Sequence, residues 1–190
     1  MNVTAVILAA GGSARMGRPK QLIPFRGQTL LRRAAEAACA SRASEVISVL
    51  GYEPALMRRE LDCLRVRVQE NPLWKEGIAS SIRCALGVLD PACEGALIVV
   101  CDQPALSAAH LDALIEACTG APGRAGASAY GGSVGVPALF PRALFADLLR
   151  LEGDRGAQRV LIARRESLLE VPWPEGAIDI DTPEDVPVRF

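Results

Sequence analysis

Histidine is nearly absent from this chain, since His110 is the only one among 190 residues. A single histidine argues against Ser-His-Asp or Cys-His catalysis. The six cysteines contain no C-x-x-C pair, and His110 has no partner at ligand spacing, which argues against a zinc site. His110 stands three residues after Ser107, a predicted helix N-cap, so we expect it on a helix surface.

An excess of charge and a long apolar run are also missing. The chain carries 21 basic and 22 acidic residues, a balance that argues against general nucleic-acid or membrane-surface binding. No apolar run approaches the ~20 residues needed to span a bilayer, and the N-terminus has neither the basic region nor the cleavage site of a signal peptide. We therefore expect a cytoplasmic protein whose residues 1–190 form one domain, with 50% apolar residues to build its core.

Apolar runs alternate with segments of helical periodicity, which predicts an α/β fold. Specifically, we expect a three-layer α/β/α domain with a mainly parallel, Rossmann-like doubly wound sheet, whose ligands gather beyond the carboxyl ends of the strands. Ala121–Gly135, rich in Gly, Ala and Ser, reads as a hairpin or a mobile loop. The predicted strands are Val3–Leu8, Glu45–Leu50, Leu64–Val68, Ala96–Cys101, Val136–Phe140, Glu166–Val171 and Ala177–Ile180, and the predicted helices are Thr29–Ala40, Ala55–Leu61, Gly77–Leu89, Ser107–Cys118, Ala143–Leu151 and Ala157–Arg165.

The first predicted strand opens into a glycine-rich, cationic loop. Ala9-Ala10-Gly11-Gly12 follows Leu8, and Arg15, Arg18 and Lys20 fall within six residues. Glycines let backbone N–H groups approach an anion closely, and the cations neutralise it. The loop is neither a Walker A motif, because Arg18-Pro19 stands where Lys-Ser/Thr is required, nor a G-x-G-x-x-G fingerprint. It nevertheless indicates a phosphate-binding site.

This loop resembles the L-A-A-G-x-S-x-R-M-G-x-P-K signature of the sugar-nucleotide and cofactor nucleotidyltransferases, and in particular that of the MocA-like molybdenum cofactor cytidylyltransferases. The resemblance implies the fold of the nucleotide-diphospho-sugar transferases. It also implies that the backbone of Gly11–Ser13 cradles a triphosphate, that Arg15 neutralises the leaving β- and γ-phosphates, and that Lys20 neutralises the α-phosphate. The nucleotide-binding residues expected on this ground are Leu8, Ala10, Gly11, Gly12, Ser13, Arg15 and Lys20.

Two acidic segments are candidates for a metal site. Asp102 follows the apolar run Ala-Leu-Ile-Val-Val, and a lone carboxylate at a strand tip above a phosphate loop suits Mg²⁺, although Asp102 could equally cap a turn before Pro104. Asp179 and Asp181 would share one face of a strand. The family resemblance makes Asp102 a catalytic magnesium ligand and one of the other two a second ligand, with Asp181 preferred over Asp179.

The segment from Asn71 to Ser81 resembles the family's N-P-x-W-x-x-G-M-x-S-S pattern. Asn71, Ser80 and Ser81 are therefore further candidates for nucleotide contacts, and hydroxyls at a helix N-terminus can hydrogen-bond a base or ribose. Trp74 could stack on a ring or anchor its loop to the core.

Two later segments also match the family, with one departure. Val136 replaces the histidine of the family's G-H-P-V-L-F region, which bears on the acceptor. Gly153-Asp154-Arg155-Gly156-Ala157 matches a G-D-x-G-A motif, in which Asp154 is a candidate helix cap and Arg155 a candidate anion contact.

The resemblance implies a Mg²⁺-dependent nucleotidyltransferase that moves CMP from CTP to the phosphate of molybdopterin or its molybdenum-loaded form. GTP stays open as the nucleotide, and a molybdoenzyme is a candidate client. Two other hypotheses are a sugar- or polyol-phosphate nucleotidyltransferase and a chaperone that carries the cofactor without catalysis.

Overall fold

The computed structural model describes residues 1–13, 16–180 and 185. Their main sheet has seven strands in the order β5-β4-β1-β6-β8-β7-β9, and β2 and β3 pair separately. Within the main sheet, β8 runs antiparallel to both of its neighbours, and the other pairs are parallel; β2 and β3 are antiparallel. The strands are β1 Val3–Ala9, β2 Pro24–Phe25, β3 Gln28–Thr29, β4 Glu45–Leu50, β5 Arg67–Glu70, β6 Gly95–Val100, β7 Gly126–Tyr130, β8 Ser133–Pro141 and β9 Leu169–Pro172.

Helices cover both faces of this sheet. These layers confirm the predicted α/β class, and the strand directions confirm the mainly parallel sheet. The helices are α1 Leu30–Ala40, α2 Pro54–Glu60, α3 Ile78–Leu86, α4 Ala108–Gly120, α5 Phe145–Leu149 and α6 Gln158–Ala163. Short 3₁₀ turns lie at Lys20–Leu22, Trp74–Glu76, Arg142–Leu144, Arg165–Ser167 and Pro174–Ala177. None of the helices in the described part of the chain has the length and apolarity to cross a bilayer.

The central strand β1 divides the core into two layers. Its alternate side chains point to opposite faces: Ile7 packs in a cluster with Leu31 and Leu111, and Val6 in a second cluster with Ile82 and Phe140. Burial on both faces explains why β1 is a continuous apolar run instead of an alternating one. Since β1 pairs in parallel with β4 and β6, the loops that follow these three strands meet at one edge of the sheet.

Several predicted boundaries shift in the structure. The Gly- and Ser-rich segment 121–135 forms a hairpin, in which Gly131 and Gly132 turn with φ of 56° and 74°, and β8 begins at Ser133, three residues before the predicted strand. The strand predicted at Leu64–Val68 is β5 at Arg67–Glu70. The strand predicted at Ala177–Ile180 is wrong, because β9 ends at Pro172 and a 3₁₀ turn begins at Pro174. Pro174 lacks the N–H that a strand ladder needs, and the chain leaves the sheet there in a turn.

The expectation that His110 lies on a helix surface is also wrong. Ser107 does cap α4 through its Oγ, which accepts a hydrogen bond from the backbone N–H of His110 at 3.3 Å. The His110 side chain, however, is 7% exposed. Its Nε2 lies 2.7 Å from Ser128 Oγ on β7, and its ring stacks on Trp173 at 4.5 Å between centroids. The position after the N-cap, on which the expectation rested, could not anticipate a polar partner on a distant strand.

We predict that this histidine makes folding stability depend on pH. Burial lowers the pKa of His110 from 6.5 to about 4, against the opposing charge of Glu175. Between these values the unfolded state binds more protons, so stability is complete above about pH 6.5 and is lost as the pH falls toward 4. Between pH 7 and pH 5 we expect a loss of about 2 kcal/mol in the free energy of unfolding, measured with urea. His110→Gln should lose much less over this range, and equal losses in the two proteins would contradict the prediction.

Candidate active site

The loops after β1, β5 and β6, together with the start of α3, enclose a cleft of about 510 Å³ at the carboxyl edge of the sheet. Most of the residues predicted from the phosphate loop line this cleft together with Asp102. Arg15 and Asp181, two further predicted site residues, lie outside the described residues. The lining residues are Leu8, Ala10, Gly11, Gly12, Ser13, Met16, Lys20, Gln21, Trp74, Lys75, Gly77, Ile78, Ser81, Val100, Cys101, Asp102 and Asp154.

A glutamine that the sequence analysis missed holds the phosphate loop together. Gln21 is 2% exposed, and its Nε2 donates to the carbonyl oxygens of Ala9 at 2.9 Å and Gly11 at 2.7 Å. Ser13, which has φ of 52°, accepts a hydrogen bond on its Oγ from the Lys20 backbone at 3.0 Å. The loop is thus tied at both ends, which directs the Lys20 side chain into the cleft. The sequence feature that could have identified Gln21 as a buried residue is its position directly before the apolar pair Leu22-Ile23.

Lys20 and Asp102 form an ion pair inside the cleft, between Nζ and Oδ2. Their side chains are 24% and 15% exposed, so neither is a freely solvated surface group. Asp102 occupies the tip of β6, and its backbone oxygen accepts a hydrogen bond from Ile180 at 2.9 Å. An ammonium and a metal ion compete for the same carboxylate, so a metal that binds Asp102 would release Lys20 toward other anions.

Asp179 is near this pair, although it is not on a strand. The hydrogen bond from the Ile180 backbone to the Asp102 carbonyl oxygen holds the chain next to Asp179 against the loop that carries Asp102. Burial raises the pKa of Tyr130, the hydrogen bond with Gln103 lowers it, and the negative charges of Asp102 and Asp179 raise it further. Within residues 1–13, 16–180 and 185, no three His, Cys, Asp or Glu side chains gather as a metal site. Asp102 itself is a partly buried carboxylate beside the phosphate loop, and a Mg²⁺ ion commonly takes one or two carboxylates and completes its shell with phosphates.

Gln103, the residue after Asp102, connects three parts of the fold. It is 6% exposed, and its Nε2 lies 3.1 Å from the Val136 carbonyl oxygen and 3.3 Å from that of Gly176. The Tyr130 hydroxyl donates to the same Val136 oxygen at 2.9 Å. These contacts hold the loop that carries Asp102 against β8 and the Pro174–Ala177 turn. Gln103 is thus a positioning residue, and only its neighbourhood in the fold reveals it.

Asn71 and Ser80 lie behind the cleft wall. Asn71 is 3% exposed, and its Nδ2 donates to Ser80 Oγ at 2.8 Å and Ser81 Oγ at 3.1 Å. Ser80 in turn donates to the Gly77 carbonyl oxygen at 2.8 Å. These groups are occupied within the protein and fix the start of α3. Of the three residues predicted in this segment, only Ser81 lines the cleft.

Trp74 anchors its loop to the fold and also lines the cleft, so its stacking on a ligand ring stays a prediction. Its indole packs edge-on against Tyr52 at 5.6 Å between centroids, and Lys75 Nζ lies 5.6 Å from its ring centroid. A Cβ at Gly51 would lie 2.5 Å from the Trp74 side chain, so glycine is needed there. The same indole forms a wall of the cleft beside Gly12. Its aromatic surface thus faces the cleft.

The Gly153–Ala157 segment lies against this wall and does not cap a helix. Gly77 has φ of 100°, and a Cβ there would lie 2.4 Å from the carbonyl group of Gly153. The backbone N–H of Ala79 donates to the Gly153 carbonyl oxygen at 3.1 Å. The interpretation of Asp154 as a cap is wrong, since α6 begins at Gln158 with no side-chain cap. This close contact places Asp154 on the wall of the cleft instead.

We predict that Gln21→Leu destabilises the protein and weakens nucleotide binding. The change leaves the carbonyl oxygens of Ala9 and Gly11 without their donor, which costs about 1–3 kcal/mol. Urea unfolding measures the loss, and the KM for the nucleotide should rise with it. Gln69→Leu is the matched control, because Gln69 donates to an exposed carbonyl oxygen of Glu70 and does not line the cleft; it should stay within about 0.5 kcal/mol of wild type. Equal stability of the two variants would refute the role given to Gln21.

The fold and the cleft are those of a nucleotidyltransferase: a mainly parallel sheet with a glycine-rich loop after its central strand and a carboxylate at the tip of the next. The model of the MobA-like NTP transferase domain matches residues 5–168. The chain therefore belongs to the MobA-like NTP transferase family.

Named relatives differ in activity. The chain is 32% identical to a nicotine blue oxidoreductase of Paenarthrobacter nicotinovorans, over 97% of this chain and 91% of that protein. It is 30% identical to a probable molybdenum cofactor guanylyltransferase of Nostoc, over 98% and 90%, and 24% identical to the molybdenum cofactor cytidylyltransferase of Escherichia coli, over 96% and 93%. Because these names differ, they do not identify the nucleotide or the acceptor of this chain.

Solved structures show the same fold. The crystal structure of Rv0371c from Mycobacterium tuberculosis superposes with a TM-score of 0.81 at 32% identity, over 97% of this chain and 96% of that one. A second structure of that protein, described as a complex with manganese, superposes with a TM-score of 0.78 at 30% identity, over the same shares of the two chains.

Proposed function

We propose that this nucleotidyltransferase transfers CMP from CTP to the phosphate of molybdopterin or its molybdenum-loaded form. An oxygen of the acceptor phosphate bonds to the α-phosphorus of CTP, the bond from that phosphorus to the α,β-bridging oxygen breaks, and pyrophosphate leaves. The observation that carries the proposal is the Lys20–Asp102 pair, which faces the glycine loop in one cleft. Transfer of this kind needs positioning and charge neutralisation more than a protein nucleophile.

Different residues of the chain have different roles in this transfer reaction. Backbone N–H groups of Gly11–Ser13 hold the triphosphate, and Lys20 neutralises the charge that builds on the α-phosphate. Arg15 neutralises the leaving β- and γ-phosphates. Ser81 and the Trp74 indole, both on the cleft wall, contact the nucleoside.

The proposed metal is Mg²⁺, held by Asp102 with Asp179 or Asp181 beside it. Bound there, the ion would draw negative charge from the phosphate oxygens. Two observations support a divalent ion: the partly buried carboxylate of Asp102 at the phosphate loop, and the manganese complex of the mycobacterial relative.

The proposed base is cytosine. Relatives that transfer guanylate usually read L-A-G-G where this chain has Leu8-Ala9-Ala10-Gly11, and the Ala10 methyl group stands on the cleft wall. The relatives named guanylyltransferase and cytidylyltransferase make GTP the competing nucleotide. Their shared acceptor supports molybdopterin, and a cytoplasmic molybdoenzyme would then be the client for the product.

Nucleotide binding is the first measurement. Thermal unfolding with Mg²⁺ and each of the four common triphosphates should show stabilisation by CTP above the others, since a ligand at 100 times its Kd adds about 2.7 kcal/mol. A preference for GTP would mean that the enzyme transfers GMP instead of CMP. Stabilisation by none of the four would overturn it.

Pyrophosphate release from radiolabelled CTP, with and without molybdopterin, is the second measurement. The transferase should release pyrophosphate only when the acceptor is present. Oxidoreduction produces no pyrophosphate, so this readout also separates the proposal from the activity named for the Paenarthrobacter relative. A chaperone would bind molybdopterin without any release, and that result would contradict the proposal.

A further inference from the structure

A second cavity of about 700 Å³ adjoins the nucleotide cleft. The two share Leu8, Ile78, Val100 and Asp154 as a common wall. The second cavity extends from this wall along the face of the sheet toward α6. It therefore opens next to the position where the Lys20–Asp102 pair would hold the reacting phosphates.

The floor of the second cavity is apolar. Leu8, Ile98 and Val100 of the two central strands line it with Val136 of β8. Val136 occupies the position where the resembling family carries histidine, so this wall offers a ligand no side-chain hydrogen bond there. Such a surface fits the face of a flat ring, and a volume of this size is within the roughly 300–1,000 Å³ of small-molecule sites.

Two arginines at this cavity have unused guanidinium groups. Arg155 and Arg159 are exposed, and within the described part of the chain their side chains have no hydrogen-bond or ion-pair partner. Nearby arginines behave differently, since Arg150 and Arg164 both hold Asp147, at 3.2 and 2.6 Å. Among the described residues that line this cavity, Asp154 is the one acid, against two arginines. The cavity therefore favours an anion.

We propose that the second cavity binds the body of the acceptor, and that Arg155 and Arg159 bind a second anionic group on it. The inference rests on the proposed transfer reaction and narrows its acceptor to a class: a phosphomonoester with a flat ring system and a further negative charge distant from the reacting phosphate. The ring lies on the Leu8, Val100 and Val136 floor while the phosphate reaches the Lys20–Asp102 end.

The binding test uses pterin-6-carboxylate, a fluorescent flat ring with one carboxylate, and unsubstituted pterin as its uncharged counterpart. The α,β-methylene analogue of the stabilising triphosphate is added with Mg²⁺ so that the first cleft is filled. We expect saturable quenching by wild type, with pterin-6-carboxylate bound at least 10-fold more tightly than pterin. The double variant Arg155→Gln/Arg159→Gln should lose this preference. Arg59→Gln changes an exposed arginine of α2 that lines neither cavity, and this variant should retain the preference.

The kinetic test separates this inference from the proposed function. The double variant should raise the KM for the acceptor at least 10-fold, with kcat and the thermal stabilisation by the triphosphate within 2-fold of wild type. Wild-type acceptor KM in the double variant, or equal binding of the two pterins by wild type, would overturn the inference and leave the transferase proposal intact. If wild type releases no pyrophosphate with any triphosphate but still prefers the carboxylate through both arginines, the transferase proposal fails and the anion site stands. The melting temperature of each variant shows whether it is folded. As a further control, Arg155→Lys/Arg159→Lys keeps the charge and should recover part of the affinity.

Discussion

Asp102→Asn is expected to abolish most metal-dependent turnover and leave the fold intact. Asparagine keeps the shape of the side chain but loses the negative charge that Mg²⁺ needs. A metal ion contributes several kcal/mol of charge stabilisation, so we expect kcat to fall by about 10³ or more. Loss of the partly exposed ion pair with Lys20 should change the free energy of unfolding by no more than about 1 kcal/mol.

Steady-state kinetics at several Mg²⁺ concentrations and manganese binding followed by electron paramagnetic resonance test this expectation. Asp62→Asn, which neutralises an exposed carboxylate far from the cleft, is the control and should behave as wild type. Wild-type kcat in Asp102→Asn at ordinary Mg²⁺ would remove Asp102 from the metal site, whatever the manganese titration shows.

Lys20→Ala is expected to lower kcat by about 10²–10³, or ~3–4 kcal/mol of transition-state stabilisation. The charge on the α-phosphate grows on the way to the transition state, so removal of Lys20 should cost more in kcat than in nucleotide affinity. Lys20→Arg should rescue only part of the rate, since a planar fork does not replace a compact ammonium at one phosphate oxygen.

The Lys20–Asp102 contact adds a second expected result for this variant. Without nucleotide, Lys20→Ala should bind manganese more tightly than wild type, because the ammonium no longer competes for the carboxylate. The other lysine of the chain, Lys75, lies on the cleft wall over Trp74, so Lys75→Ala should affect nucleotide KM and leave kcat nearly unchanged. The role of Lys20 is refuted if Lys20→Ala raises the nucleotide KM while kcat stays intact.

The sequence alone predicted the elements whose signals are local. The apolar run of β1 and the glycines after it indicate a buried strand and an anion loop, because both depend on residues adjacent in the chain. The alternation of strands and helices predicted the mainly parallel sheet for the same reason. The N-cap at Ser107 was also readable, since a cap needs only the following turn. Parallel strands then required the loop and Asp102 to meet at one edge.

Tertiary structure decided whatever depends on a partner distant in the chain. Gln21 donates hydrogen bonds to the carbonyl oxygens of Ala9 and Gly11. His110 is buried because its ring hydrogen-bonds Ser128 and stacks on Trp173. Asn71 and Ser80 were expected in contact with the nucleotide, yet they hydrogen-bond within the protein. A side chain's polarity shows that it needs partners, but only the packed chain determines whether those partners belong to the protein or to a ligand.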